Sequence, residues 1–155
     1  MSGLPQTPMT PRIVCLATGL ALFVTLGHAT APAGRYAEPS IVNGIGVIAD
    51  TRTGLTWQRA PAPGFYDWFG AQTYCAGLGE GWRLPSLEEI QTIVDDTTRN
   101  PAADTTAFPS LPSDYTYWTL SRVAGDDTRA WDFSASLGDT STLGVAFVRH
   151  VLCVR

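Results

Sequence analysis

Lysine is absent: the ten basic residues are all arginine, set against fourteen aspartates and glutamates in 155 positions. A chain of net charge −4 gains nothing from the counterion release that drives nucleic-acid binding, which removes nucleic acid as a partner class. Histidine is scarce, represented only by His28 and His150. A zinc site built on imidazole and thiolate therefore lacks ligands. Neither a glycine-rich phosphate loop nor a nucleophile elbow occurs. There is no internal repeat and no heptad pattern. No apolar run reaches the about 20 residues a membrane-spanning helix needs.

The longest uncharged run is IVCLATGLALFVTL, Ile13 to Leu26. Arg12 precedes it and the small residues of GHATAPAG follow. A positive start, a short apolar stretch and a small-residue tail predict a secretory signal peptide over residues 1–29. Its removal takes Arg12, Cys15 and His28, leaving nine arginines against fourteen carboxylates, a net charge of −5. The mature chain is then secreted, periplasmic or on the cell surface, with no stable membrane span. Two cysteines remain, Cys75 and Cys153. An even count in an exported chain argues for a bridge between them, with two separate buried thiols as the alternative.

Residues 30–45 are rich in Ala, Pro and Gly and read as a linker. Val47 and Ile48, a turn over Asp50 to Gly54, and Leu55 to Gln58 predict a hairpin. APAPGFYDWFG is a loop ending on Asp67, a good helix N-cap. Ala71, Tyr74, Cys75 and Leu78 then form a helical apolar stripe over 68–78, closed by Gly79. In GWRLPSLEEI, Ser86 with Glu89 three positions on is a capping box, and Leu87, Ile90, Ile93 and Val94 predict a helix over 87–95. Both glutamates are explained by helix initiation, and Arg83 is expected on a carboxylate or carbonyl of the fold. Residues 97–114 form a long loop tacked down by Phe108 and Leu111. Tyr115 to Ser121 and RAWDFSA read as strands, with Trp131 and Phe133 on one face and Asp132 on the other. SLGDTSTLG reads as a loop. VAFVRHVLCVR is apolar on both faces and predicts a central strand, its Val151 and Cys153 opposite Leu152 and Val154.

Five stretches occur in one order: DTRTGLTW (Asp50–Trp57), YC…GWRLPSLEEI (Tyr74–Ile90), YWTLS (Tyr117–Ser121), AWDF (Ala130–Phe133) and the terminal CVR (Cys153–Arg155). Together they make residues 46–155 resemble the Lcl C-terminal domain family, typified by the C-terminal domain of the Legionella collagen-like adhesin. The resemblance implies a bacterial exported domain with an α+β fold, C-type-lectin-like or formylglycine-generating-enzyme-like, with a twisted, mainly antiparallel sheet and two helices. It also implies a Cys75–Cys153 pair and an adhesin-type role in binding sulfated polysaccharides. Two features depart from the adhesin. No collagen-like repeat precedes the domain, and the chain is acidic where a polyanion needs a basic cluster. Only Arg122, Arg129, Arg149 and Arg155 could gather near the C-terminal strands.

His150 is expected as a core or edge histidine with its hydrogen bonds met. Asp126, Asp127, Asp132 and Asp139 lie between the last strands. Their oxygens suit calcium, although their spacing matches no loop motif and turn aspartates are the ordinary outcome. No cofactor is called for. Trp57, Trp82, Trp118 and Trp131 read mostly as core, while Phe65, Tyr66, Trp68, Tyr115 and Tyr117 sit nearer loops. The reading is a non-catalytic binding or adhesion-type domain recognising carbohydrate or protein. Its candidate ligand-binding residues are Tyr115, Arg122, Asp126, Asp127, Arg129 and Asp139. An enzyme-fold relative with residual or unknown activity, or a structural envelope component, are the alternatives.

Overall fold

The computed structural model describes residues 32–155, so the predicted leader over 1–29 lies outside the described residues. The architecture is α+β: two three-stranded antiparallel sheets and two helices. The first sheet holds β1 (Ser40–Val42), β2 (Ile45–Ala49) and β3 (Thr56–Gln58) in that order. Helices α1 (Trp68–Gly77) and α2 (Leu87–Gln91) follow. The second sheet holds β4 (Thr116–Val123), β5 (Asp126–Ser134) and β6 (Thr140–Gly144), again in chain order. Among the described residues no helix is long and apolar enough to cross a membrane.

The first hairpin forms as its turn chemistry dictates. Ile48 faces Trp57 across β2 and β3. Asp50 accepts the Arg52 amide at 2.9 Å, and Gly54 takes φ +76°, a conformation open to glycine. The stretch read as a linker is held to the body. Ser40–Val42 add a third strand to β2, and Arg35 forms a 2.8 Å ion pair with Asp50 whose two side chains are 8 % and 0 % exposed. Burial alone would raise the Asp50 pKa, but hydrogen bonds from Arg35 and the Arg52 amide bring it below the usual carboxylate value.

Asp67 caps α1 by accepting the Gly70 amide at 2.6 Å. The apolar stripe turns inward as expected: Ala71 and Cys75 are fully buried, and Tyr74 and Leu78 pack against the same cluster. Trp68 fixes the start of the helix by donating its indole N–H to the Thr119 carbonyl at 2.8 Å.

Ser86 and Glu89 form the complete capping box of α2. Glu89 also receives Arg83 in a two-pronged ion pair, at 2.6 and 2.7 Å. That hydrogen bonding holds the Glu89 pKa below its usual value. GWRLPSLEEI is thus a helix start locked by its own preceding arginine. The helix is shorter than the expected 87–95. It stops at Gln91, where the Thr92 hydroxyl donates to the Glu89 carbonyl and competes with the ladder. Ile93 remains buried beyond the helix end.

The β4–β5 ladder carries a bulge. Trp118 faces Asp132 and Arg122 faces Ala130, so two extra residues sit on the β4 side. This swings the Leu120 amide out to the Pro85 carbonyl at 2.7 Å, and the Ser121 hydroxyl accepts the Leu87 amide. The bulge is therefore what docks α2 on the second sheet.

Two expectations are corrected here. Thr140–Gly144, read as loop, form β6 along the otherwise free edge of β5. The C-terminal segment 145–155 is not a ladder strand. Its first residues turn, leaving Phe147 and Val148 exposed. The remainder makes single bridges to separate segments: Arg149 to Tyr66, His150 to Tyr117, and Val154 to both Trp57 and Arg83. A buried backbone must find partners, and here they come from both sheets and the intervening loops. The alternation holds where the segment is buried. Val151 and Cys153 enter the cluster packed with α1, and Leu152 and Val154 enter the cluster around Phe108, Tyr117 and Phe133. The tail is a partition between two halves of the core. Cys153 is joined to Cys75 by a disulfide spanning 78 positions.

Candidate functional site: an aromatic cleft around His150

His150 is placed by backbone hydrogen bonds on both sides of Tyr117. Its amide donates to the Thr116 carbonyl at 3.0 Å, and its carbonyl accepts the Trp118 amide at 3.1 Å. Tyr115 stands just before β4, its carbonyl engaged by the Ala135 amide. The two rings consequently lie parallel, 4° apart in plane and 3.5 Å between centroids. On the opposite strand contact, Tyr66 and Arg149 exchange two backbone hydrogen bonds of 2.9 Å each. Phe65 lies one residue out from that pair, after Gly64 turns the loop at φ +87°. Its ring sits 4.3 Å from the imidazole at 50°. Phe65 is 63 % exposed and His150 only 6 %. The phenyl ring thus shields the imidazole and itself faces water.

Phe65, Asp114, Tyr115, Thr116, Val148, Arg149 and His150 line an open cleft of about 230 Å³. Burial pushes the His150 pKa below its usual value, with the Asp114 charge acting weakly in the other direction. The ring is neutral at physiological pH. Its Nε2 is buried without a hydrogen-bond partner, as is the hydroxyl of the adjoining Tyr117. The expectation of a fully satisfied histidine is therefore corrected. Burial also drives the Tyr117 phenol pKa far up, which keeps it protonated. Arg149 lines the cleft but directs its Nε to Asp132 at 2.8 Å.

The arrangement offers a flat apolar ring, a neutral imidazole and a carboxylate. The only two cysteines among the described residues are bonded to each other, so neither provides a thiolate nucleophile.

The residues picked out for ligand binding do not converge. Tyr115 belongs to the cleft. Arg122, Asp126 and Asp127 lie at the β4–β5 tip, about 20 Å or more away along the strand at about 3.3 Å per residue. There Arg122 pairs with Asp127 at 3.3 Å and its guanidinium lies 4.5 Å from the Trp68 ring. Asp126 accepts from the amide and hydroxyl of Thr128. Arg129 donates to the carbonyl and hydroxyl of Thr142. Asp139 is exposed in the β5–β6 turn, where its carbonyl accepts the Ser134 amide. The four arginines near the C-terminus are likewise dispersed, Arg155 lying over the Trp82 ring. Asp132, grouped above with the turn aspartates, is a buried residue held by Arg149 and Ser141. Among the described residues no three His, Cys, Asp or Glu side chains group to hold a metal ion.

The family model described as the Lcl C-terminal domain matches residues 46–155. The chain belongs to that family. No curated protein matches it. In this Lcl C-terminal domain the matched region begins within β2, so β1 and Arg35 form an N-terminal extension, which the Arg35–Asp50 ion pair ties to the matched body. Asp114, the last residue of the long polar loop, was the cleft residue least visible in the sequence, whereas Phe65 and His150 were in view. Their signals were an aromatic residue after Pro-Ala-Pro-Gly and one imidazole in an apolar tail.

Proposed function

We propose that this Lcl C-terminal domain is a non-catalytic, adhesion-type binding module acting outside the cytoplasm after removal of residues 1–29. Its recognition surface is the cleft of Phe65, Tyr115 and His150, and its ligand is a carbohydrate or a protein. One observation carries the reading. A large aromatic ring, that of Phe65, stands exposed against buried His150, which is itself stacked on half-buried Tyr115, in a cleft that Asp114 also lines. Flat rings of this kind stack on sugar faces and on partner side chains, and binding residues sit on loops held by a rigid scaffold. The two-sheet α+β body, closed by a buried C-terminal segment and a disulfide, supports a C-type-lectin-like or formylglycine-generating-enzyme-like fold. An enzyme of the latter type would need a reactive thiol, and the Cys75–Cys153 bond favours the binding reading instead.

The test is an array of glycans and extracellular proteins probed with the oxidised protein and with Phe65→Ala, each with and without calcium. Binding that is present in the parent and lost in the variant supports the module. An array silent for both proteins contradicts it.

A further inference from the structure

Resting on that reading, we infer that the cleft takes a neutral hexopyranose bearing adjacent hydroxyls, and that it rejects sulfated sugars. The shape comes first. Tyr115 and His150 are stacked, and Phe65 leans on the outer side of the imidazole at 50°, so the three rings follow one another in a row rather than surrounding a point. They leave one flat outer face, that of Phe65, and no box of rings to surround a cation. A pyranose presents a matching flat face of C–H groups.

The charge comes second. Arg149 is the only basic side chain lining the cleft; its Nε is given to Asp132 at 2.8 Å and its Nη1 to the Val148 carbonyl at 3.1 Å, so its charge is balanced by the Asp132 carboxylate while Asp114 has no such counterpart. Asp114 is exposed and, among the described residues, makes no hydrogen bond or ion pair. The charge left open in the cleft is therefore negative. A carboxylate is an acceptor only, with two oxygens able to receive a pair of hydroxyl donors. A sulfate brought to the same place offers no donor and adds a like charge. His150 contributes a neutral ring whose buried Nε2 is unpartnered, so it supplies no cation to offset an anion.

The test is saturation-transfer NMR on the oxidised protein, using the methyl glycosides of glucose, mannose and galactose as neutral probes and heparin as the polyanion. Phe65 and Asp114 are exposed, and circular dichroism melts verify that Phe65→Ala and Asp114→Asn remain folded. The expected result is transfer to ring C–H protons of at least one glycoside. Its affinity falls about tenfold in Asp114→Asn, the size expected for losing hydrogen bonds to a charged acceptor, and transfer vanishes in Phe65→Ala. Heparin shows no signal dependent on Phe65. Heparin binding that needs Phe65 and strengthens in Asp114→Asn overturns the inference, as does the absence of transfer to all three glycosides. A protein ligand that needs Phe65 but not Asp114 also overturns it while leaving the binding module intact. If nothing bound depends on Phe65, both fall together.

Discussion

Tyr115 and His150 lie face to face, 3.5 Å apart and within 4° of parallel. The stack keeps the imidazole out of water, and burial lowers its pKa below the usual value. The sign of the pH effect follows. Below about pH 6.5 the unfolded chain binds a proton at His150 that the folded chain refuses, so stability is complete above that pH and falls on acidification. The thermal midpoint by circular dichroism is predicted to drop between pH 7.5 and 5.5. His150→Phe keeps a flat ring in the stack and is predicted to remove most of that drop. Asp50 and Glu89 also have lowered pKa values, but their contribution is lost only below the usual carboxylate range. The two windows are separable.

Asp132 and Arg149 make an asymmetric pair, with side chains 1 % and 27 % exposed. Removing the arginine strands a buried carboxylate with little beyond the Ser141 hydroxyl. Removing the carboxylate frees a guanidinium that already reaches water. Arg149→Met is predicted to cost about 3 kcal/mol, and Asp132→Asn clearly less. Urea unfolding of the two variants checks the order.

The Cys75–Cys153 bond fastens α1 to the tail that divides the core. Opening a loop of 78 positions removes a constraint on the unfolded chain of about 4 kcal/mol. A domain of this size has a net stability of about 5–15 kcal/mol. Replacing both cysteines by alanine is predicted to lower the urea midpoint steeply without changing the native far-ultraviolet spectrum at low temperature.

The N-terminal extension should matter although it lies outside the matched region. A chain starting at Gly46 loses β1 and leaves the Asp50 carboxylate, which is wholly buried, without Arg35. It is predicted to be about 3 kcal/mol less stable than a chain starting at Pro32. Arg35→Met in the longer chain should reproduce most of that loss.

What could be read from the sequence was what is local. Ser86 and Glu89 lie three positions apart, so the start of α2 follows from side-chain chemistry alone, while the sequence leaves Arg83 a carboxylate or a carbonyl and the structure gives it both Glu89 and the Leu84 carbonyl. Asp67 and the stripe ending at Leu78 give α1 in the same way. The alternation of Val151 to Val154 also survives, because each side chain enters the core half it faces. Thr140–Gly144 escaped because Thr, Ser and Gly read as loop until the edge of β5 is available to pair with them. The turn at 145–147 escaped because apolar residues there remain at the surface. The cleft was the least legible feature. Phe65, Tyr115 and His150 come from three distant segments, and only the Tyr66–Arg149 and Tyr117–His150 bridges bring them together.

Chemical-shift mapping during titration with the strongest ligand from the array is the most direct measurement. Binding at the cleft predicts that the largest shifts fall on Phe65, Asp114, Tyr115 and the His150 ring, with the β4–β5 tip unmoved. Shifts concentrated on Arg122 to Thr128, with the His150 ring unchanged at saturation, would contradict it.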